Sequence, residues 1–293
     1  MPEVPATIPA RSRRQALDWS LVLASQGIDT WLEQAEDAPR WALVVEARDY
    51  ERATAAIRQY RLENRGWPWR HKLPLTETWF HWGSVVWAAY LISVFWINTR
   101  NGACLESVGA LDKEAVLGGQ WWRLFTAVSL HAGGAHLAAN LTFGFLLLGL
   151  AMARYGAGAG LLAAFLGGAG GNVAALLLYE KPFHGLGASG MVMAALGLLA
   201  GQWLPQWRTH PRAGRLVLTG GLGALMLFVL LALDPKTDVV AHSGGFAAGC
   251  LWGAGLAFVP PTRLQHAATE AASLVLLVTL VGGTWWWALR HLP

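Results

Sequence analysis

Hydrophobic positions follow two regimes along this 293-residue chain, and the change comes near residue 75. Beyond it, residues 79–99, 133–153, 157–179, 187–204, 216–233, 239–259 and 271–289 are apolar with few interruptions. A bilayer core asks for about 20 consecutive apolar residues per helix, so these stretches predict seven membrane-spanning helices. Residues 1–75 hold no run of that length. There, 19–23 and 41–45 read as short strands, with 29–32 a possible third. Residues 46–64 read as an amphipathic helix with Ala53, Ile57, Tyr60 and Leu62 among its less polar positions. The expected fold class is an all-α polytopic membrane bundle of seven transmembrane helices with a small N-terminal α+β domain. The expected domains are 1–75 and 79–293. Between them, 66–72 is basic and aromatic and suits the headgroup layer.

Composition strengthens this picture. At 54% hydrophobic and 14% charged residues the chain is too apolar for an ordinary soluble domain. Its 34 glycines and 17 tryptophans fit spanning helices and their interfaces, and Trp285-Trp286-Trp287 reads as an anchor. The net charge of +4 calls for no nucleic acid, because cytoplasmic loops of membrane proteins run basic. Cys104 and Cys250 make no disulfide framework. Residues 1–14 lack an apolar h-region, so the first span is expected to do the targeting. Arg208, Arg212 and Arg215 follow the fourth span, with Arg154 and Arg263 on the same side. That bias predicts a cytoplasmic N-terminal domain, with spans two, four and six running inward from the outer face.

This topology collects polar residues at one depth. Ser189 starts the fourth span, His242 lies near the outer end of the sixth, and His131, His136 and Asn140 lie at the outer end of the second. With a rise of about 1.5 Å per residue, each falls within roughly 12 Å of the outer boundary, where polar groups are costly. His136, Asn140 and Gly144 recur every four residues and share a helix face. Ala241, Gly245, Gly249 and Gly253 form a ridge of small residues on the sixth span, and Gly190, Ala194, Gly197 and Gly201 form one on the fourth. Packing of these ridges would carry His242 toward Ser189. A serine becomes a nucleophile beside a base, commonly histidine, and His136 and Asn140 could donate to a developing oxyanion. Each piece also has a packing explanation: intramembrane histidines are often structural, and glycine ridges are packing devices. A zinc site is disfavoured, since no His-Glu-x-x-His occurs and no carboxylate lies near the histidines within the spans.

Trp122-Arg123, the stretch His131-Ala-Gly-Gly-Ala-His136-Leu-Ala-Ala-Asn140, Gly187-Ala188-Ser189-Gly190 and Ala241-His242-Ser-Gly-Gly245 together resemble the rhomboid intramembrane serine proteases. The resemblance runs from about residue 79 to the end of the sequence, with the motifs in the family's order. It implies a bacterial-type rhomboid core of six helices plus one added C-terminal helix. It also implies a Ser189–His242 dyad without a carboxylate and an oxyanion hole lined by His136 and Asn140 with the Ser189 backbone N–H. Gly187 would sit at the nucleophile's turn, Gly190 beside it, and Gly245 and Gly249 would pack span six on span four. Trp122 and Arg123 would shape a membrane-embedded loop over 100–123, and His131 would support the site. The implied substrates are transmembrane proteins, cut in or beside a spanning helix, with no cofactor and no metal. The expected location is a bacterial inner membrane, with the site opening outward and a gate between the second and fifth spans or at the fifth span alone. One position departs from the family: where a tyrosine usually follows the serine by four residues, this chain has Met193. That departure keeps a second expectation in view, a catalytically silent relative that binds or escorts membrane clients.

Overall fold

The computed structural model describes residues 5–34, 41–64, 79–202, 221–222, 225–228 and 238–292. The chain divides into two compact units, Met1–Pro74 and Leu75–Pro293.

The first unit holds strands β1 (Ala6–Ala10), β2 (Thr30–Gln34) and β3 (Trp41–Val45) and helices α1 (Arg13–Ser25) and α2 (Tyr50–Glu63). The sheet is antiparallel in the order β1-β3-β2, with Ile8 opposite Leu43 and Leu32 opposite Leu43 on the other side. Residues 41–45 are a strand as expected, and 29–32 overlaps β2. The helix read over 46–64 is α2, preceded by a short 3-10 turn over Ala47–Asp49. Residues 19–23, read as a strand, are instead helical in α1. Ser12 caps that helix by accepting from the Gln15 N–H, and Ala16, Trp19 and Leu23 recur on its buried face. Leu21 is 70% exposed. A short apolar run therefore loses to a cap and a 3.6-residue period over the longer window.

The second unit is a helical bundle. Four of its described helices are long and apolar enough to cross a membrane: Gly134–Tyr155, Ala157–Leu178, Val239–Leu256 and Ala267–Leu289. They correspond to the second, third, sixth and seventh expected spans. The first is the 18-residue helix Gly83–Arg100, which is more polar; it carries Ser84, Ser93, Asn98 and Thr99. The fourth is Ser189–Gly201, with only 13 residues. At 1.5 Å per residue that is about 20 Å against a hydrocarbon core of about 30 Å. Its residues from Gly190 to Leu198 are all buried. The apolar run read there as a full span is thus a core helix wrapped by its neighbours. The expected fifth span lies outside the described residues apart from 221–222 and 225–228, which are helical. The 66–72 stretch, Arg208, Arg212 and Arg215 also lie outside them.

Close backbone approach holds the centre together. A Cβ on Gly249 would meet the Ala194 carbonyl oxygen, and one on Gly253 would meet that of Leu198. In return, Gly197 receives the Phe246 carbonyl oxygen and Gly201 that of Cys250. Each helix therefore lodges the other's carbonyls where side chains are missing, which is how small residues let helices in lipid touch. Below this seam the buried Tyr155 hydroxyl shares its proton between Leu198 O at 2.9 Å and Gly253 O at 3.1 Å. The seventh helix is fastened at both ends. Its Glu270 carboxylate accepts from the Ala157 N–H at 2.9 Å and from that of Gly158, at the start of the third span. Such N-terminal amides have no partner within their own helix. At the other end, Trp285 fills the space over Gly109.

Candidate active site

Three segments build the site: the loop between the first two spans, the turn ahead of Ser189, and the start of the His242 helix. The loop is ordered by Arg123. Its guanidinium donates to Ala110 O at 2.7 Å, Ser107 O at 2.8 Å and Gln120 Oε1 at 2.6 Å. Trp122 donates through its indole to Val108 O at 3.0 Å, and Thr126 Oγ1 donates to Gly109 O at 2.7 Å. Five side-chain hydrogen bonds thus shape the loop around its own carbonyls. Burial lowers the Arg123 pKa from its ordinary value, against an opposing pull from Asp112.

The turn ahead of Ser189 is tied to that frame. Residues Leu111 and Asp112 pair with Gly185 and His184 in a two-strand ribbon, and the Asp112 carboxylate lies 3.0 Å from His184 Nδ1. The Gly187 N–H donates to Ala127 O at 3.0 Å, and the Ala188 N–H donates to His131 Nε2 at 3.4 Å. Gly187 has φ +140°, a conformation other residues rarely adopt. A Cβ there would also lie 2.8 Å from His136 Nε2 and 3.7 Å from Ser189 Oγ. His136 and the serine hydroxyl therefore flank the same glycine. Asn140, one turn below His136, is buried and donates one amide hydrogen to His136 O at 3.1 Å. Its second amide hydrogen remains for other use. The rings of His131 and His136 lie edge to face with centroids 5.1 Å apart.

His131 precedes the second span, and burial, reinforced by neighbouring His136, lowers its pKa to about 4 against the pull of the Ser129 backbone. As an acceptor from Ala188 it must be neutral at Nε2. Because the folded pKa is below the unfolded value near 6.5, protons favour the unfolded chain in this window. Stability is full above about pH 6.5 and falls toward pH 4, by on the order of 3 kcal/mol. Melting curves between pH 7.5 and 4.5 should show this slope for the native protein and a flatter one for His131→Gln. Parallel slopes would refute the assignment.

Ser189 opens the fourth helix and is half-buried; His242 is buried in the first turn of the sixth. The seam joins them. A Cβ on Gly190 would lie 3.8 Å from Ala241 O, and one on Gly245 would lie 3.1 Å from the Gly190 carbonyl carbon. The backbone directly before His242 therefore passes within one side-chain atom's reach of the residue directly after Ser189. Met193 is buried one turn into the same helix as Ser189. Among the described residues no group of three His, Cys, Asp or Glu side chains could hold a metal.

Several residues of this region were not singled out as site residues from sequence. Asp238 caps the His242 helix, accepting from the Ala241 N–H at 2.9 Å, and also accepts from the Tyr179 hydroxyl at 2.8 Å. An aspartate three residues before a helical amide is a cap signal that the sequence does carry. Lys113, which donates to Tyr179 O, and the 111–112 ribbon have no such local signal.

A multi-pass helical membrane protein with a serine, histidines and an asparagine gathered around one glycine turn is what this half of the chain defines. Residues 118–258 match the family described as Rhomboid domain. RHOMBOID-like protein 6, mitochondrial, of Arabidopsis thaliana is 31% identical over 165 residues, 52% of this chain and 49% of the relative. RHOMBOID-like protein 1 of Arabidopsis thaliana is 31% identical over 167 residues, 51% of this chain and 38% of the relative. Rhomboid protease GluP of Bacillus subtilis (strain 168) is 37% identical over 103 residues, 35% of this chain and 20% of the relative. The chain spans about half or less of the length of these curated relatives. Over residues 118–258 it carries a rhomboid domain.

Proposed function

We propose that the chain is an intramembrane serine endopeptidase. Ser189 Oγ attacks the scissile carbonyl of a transmembrane protein while His242 accepts the hydroxyl proton as general base. The oxyanion that forms is met by the Ser189 backbone N–H and by His136 and Asn140. Collapse breaks the C–N bond, His242 returns the proton to the leaving amine, and water then hydrolyses the acyl-serine by the same relay. The observation that supports this reading is the glycine seam, in which the residue after Ser189 and the residue before His242 approach closely. The short fourth helix supports it. About 10 Å shorter than the hydrocarbon core, such a helix would leave room for water at an end that falls short of the interface, and Ser189 stands at one of its ends.

Substrates are membrane-anchored proteins with small residues and a helix breaker near the cut, because an intact helix hides its carbonyls. In this reading residues 79–293 form the protease domain, the site opens to the outer face of a bacterial inner membrane, and residues 1–75 form a cytoplasmic domain. Met193 favours a second reading, a client-binding relative with little turnover, because a thioether packs against a ring but donates no hydrogen bond.

Labelling of the detergent-solubilised protein with a fluorescent fluorophosphonate separates the two. The native protein should label. Ser189→Ala should abolish the band, and His242→Ala should slow labelling by roughly 10²- to 10⁴-fold. A native protein that stays dark, and is also inert toward a membrane-anchored test substrate, would establish the client-binding reading instead.

A further inference from the structure

The structure offers a second junction between the nucleophile's segment and the His242 helix, at the opposite end of the interface from Tyr155. Tyr179 ends the third span, ten residues ahead of Ser189. Its carbonyl accepts from Lys113 Nζ, and its hydroxyl donates to Asp238 Oδ1 at 2.8 Å. That same Oδ1 accepts from the Ala241 N–H at 2.9 Å, while the Asp238 carbonyl accepts from the His242 N–H at 3.0 Å. One residue therefore holds both the peptide of His242 and that of its neighbour Ala241, and Tyr179 holds that residue. Lys113 belongs to the loop that Arg123 orders, which is further tied to the serine's segment by the 111–112 ribbon.

We propose that Tyr179 and Asp238 are positioning residues, a brace that fixes the first turn of the His242 helix relative to the segment leading to Ser189. The proposal rests on the Ser189–His242 reading. The glycine seam sets how closely the two helices approach but leaves them free to slide and roll by fractions of an ångström. The brace removes that freedom where the imidazole is attached. Neither residue touches the reacting atoms; both act through the backbone of His242.

The test uses the full chain in detergent and the fluorophosphonate at varied concentration, so that the maximal labelling rate and the half-saturating concentration are read separately. Tyr179→Phe keeps the ring and loses only the donor. It should lower the maximal rate about five- to tenfold, with the half-saturating concentration and the melting temperature unchanged. Asp238→Ala should do the same or more, and Asp238→Asn, which keeps an acceptor, should recover most of that loss. The double variant Tyr179→Phe/Asp238→Ala should be no slower than Asp238→Ala alone. A native rate for Tyr179→Phe, an Asp238→Asn variant as slow as the alanine, or additive losses in the double variant would each overturn the brace. Native protein and Ser189→Ala run alongside. A dark native protein would bring down the dyad reading and the brace with it, whereas labelling that depends on Ser189 but not on Tyr179 would bring down the brace alone.

Discussion

Gly249→Val is expected to unfold the bundle, and it carries the largest effect on stability foreseen for any single substitution here. The added Cβ would fall on the Ala194 carbonyl oxygen, 2.7 Å from Ala194 Cα and 2.8 Å from its carbonyl carbon. These are backbone atoms of a buried helix, so no rotamer change relieves the clash and the two helices must part. Overpacking that flexible side chains absorb costs about 1–3 kcal/mol; here the cost should exceed about 3 kcal/mol and lower the melting temperature by roughly 10 °C. Fluorophosphonate labelling should vanish with it. Gly255→Ala is the control, because a Cβ there meets nothing within 4 Å and the helix is the same. A Gly249→Val protein melting within about 2 °C of the native one would mean that the seam does not hold the bundle.

Arg123→Lys ranks second, despite its kept charge. Three separate acceptors, Ala110 O, Ser107 O and Gln120 Oε1, are placed around a planar guanidinium. An ammonium on a shorter reach serves one or two of them, so buried carbonyls lose their donors. A loss of about 2–4 kcal/mol is expected, and proteolysis should become fastest within 100–123. Limited trypsin digestion of both proteins, with the cut sites mapped by mass, checks this. Unchanged cutting in the loop would show that its order comes from elsewhere.

The parts of this molecule written in local spacing were legible beforehand. Glycines four residues apart on two helices named the seam, and the runs that became Gly134–Tyr155, Ala157–Leu178 and Val239–Leu256 were read to within a few residues. What failed was local in the wrong way or not local at all. Trp19 to Leu23 looks like a strand over five residues and like a helix over thirteen. The fourth helix reads as a full span because burial by protein and burial by lipid select the same residues. The 111–112 ribbon with 184–185 and the bond from Tyr179 to Asp238 join residues far apart in the chain, and nothing in either partner's neighbourhood announces the other. Even the glycine register was only half visible. The sixth helix's glycines meet Gly190, Ala194 and Leu198, while Gly197 and Gly201 receive a different row of carbonyls.

The latch between Glu270 and the third helix has a consequence for biosynthesis. Ala157 and Gly158 leave the ribosome 113 and 112 residues ahead of the carboxylate that satisfies their amides. Throughout that stretch of translation the third helix has an unfinished end, and the loop around Gly109 lacks the indole that covers it. The bundle can be inserted helix by helix, yet these two contacts form only when the helix carrying Glu270 and Trp285 arrives, so completion of the third helix's end is a late event in synthesis.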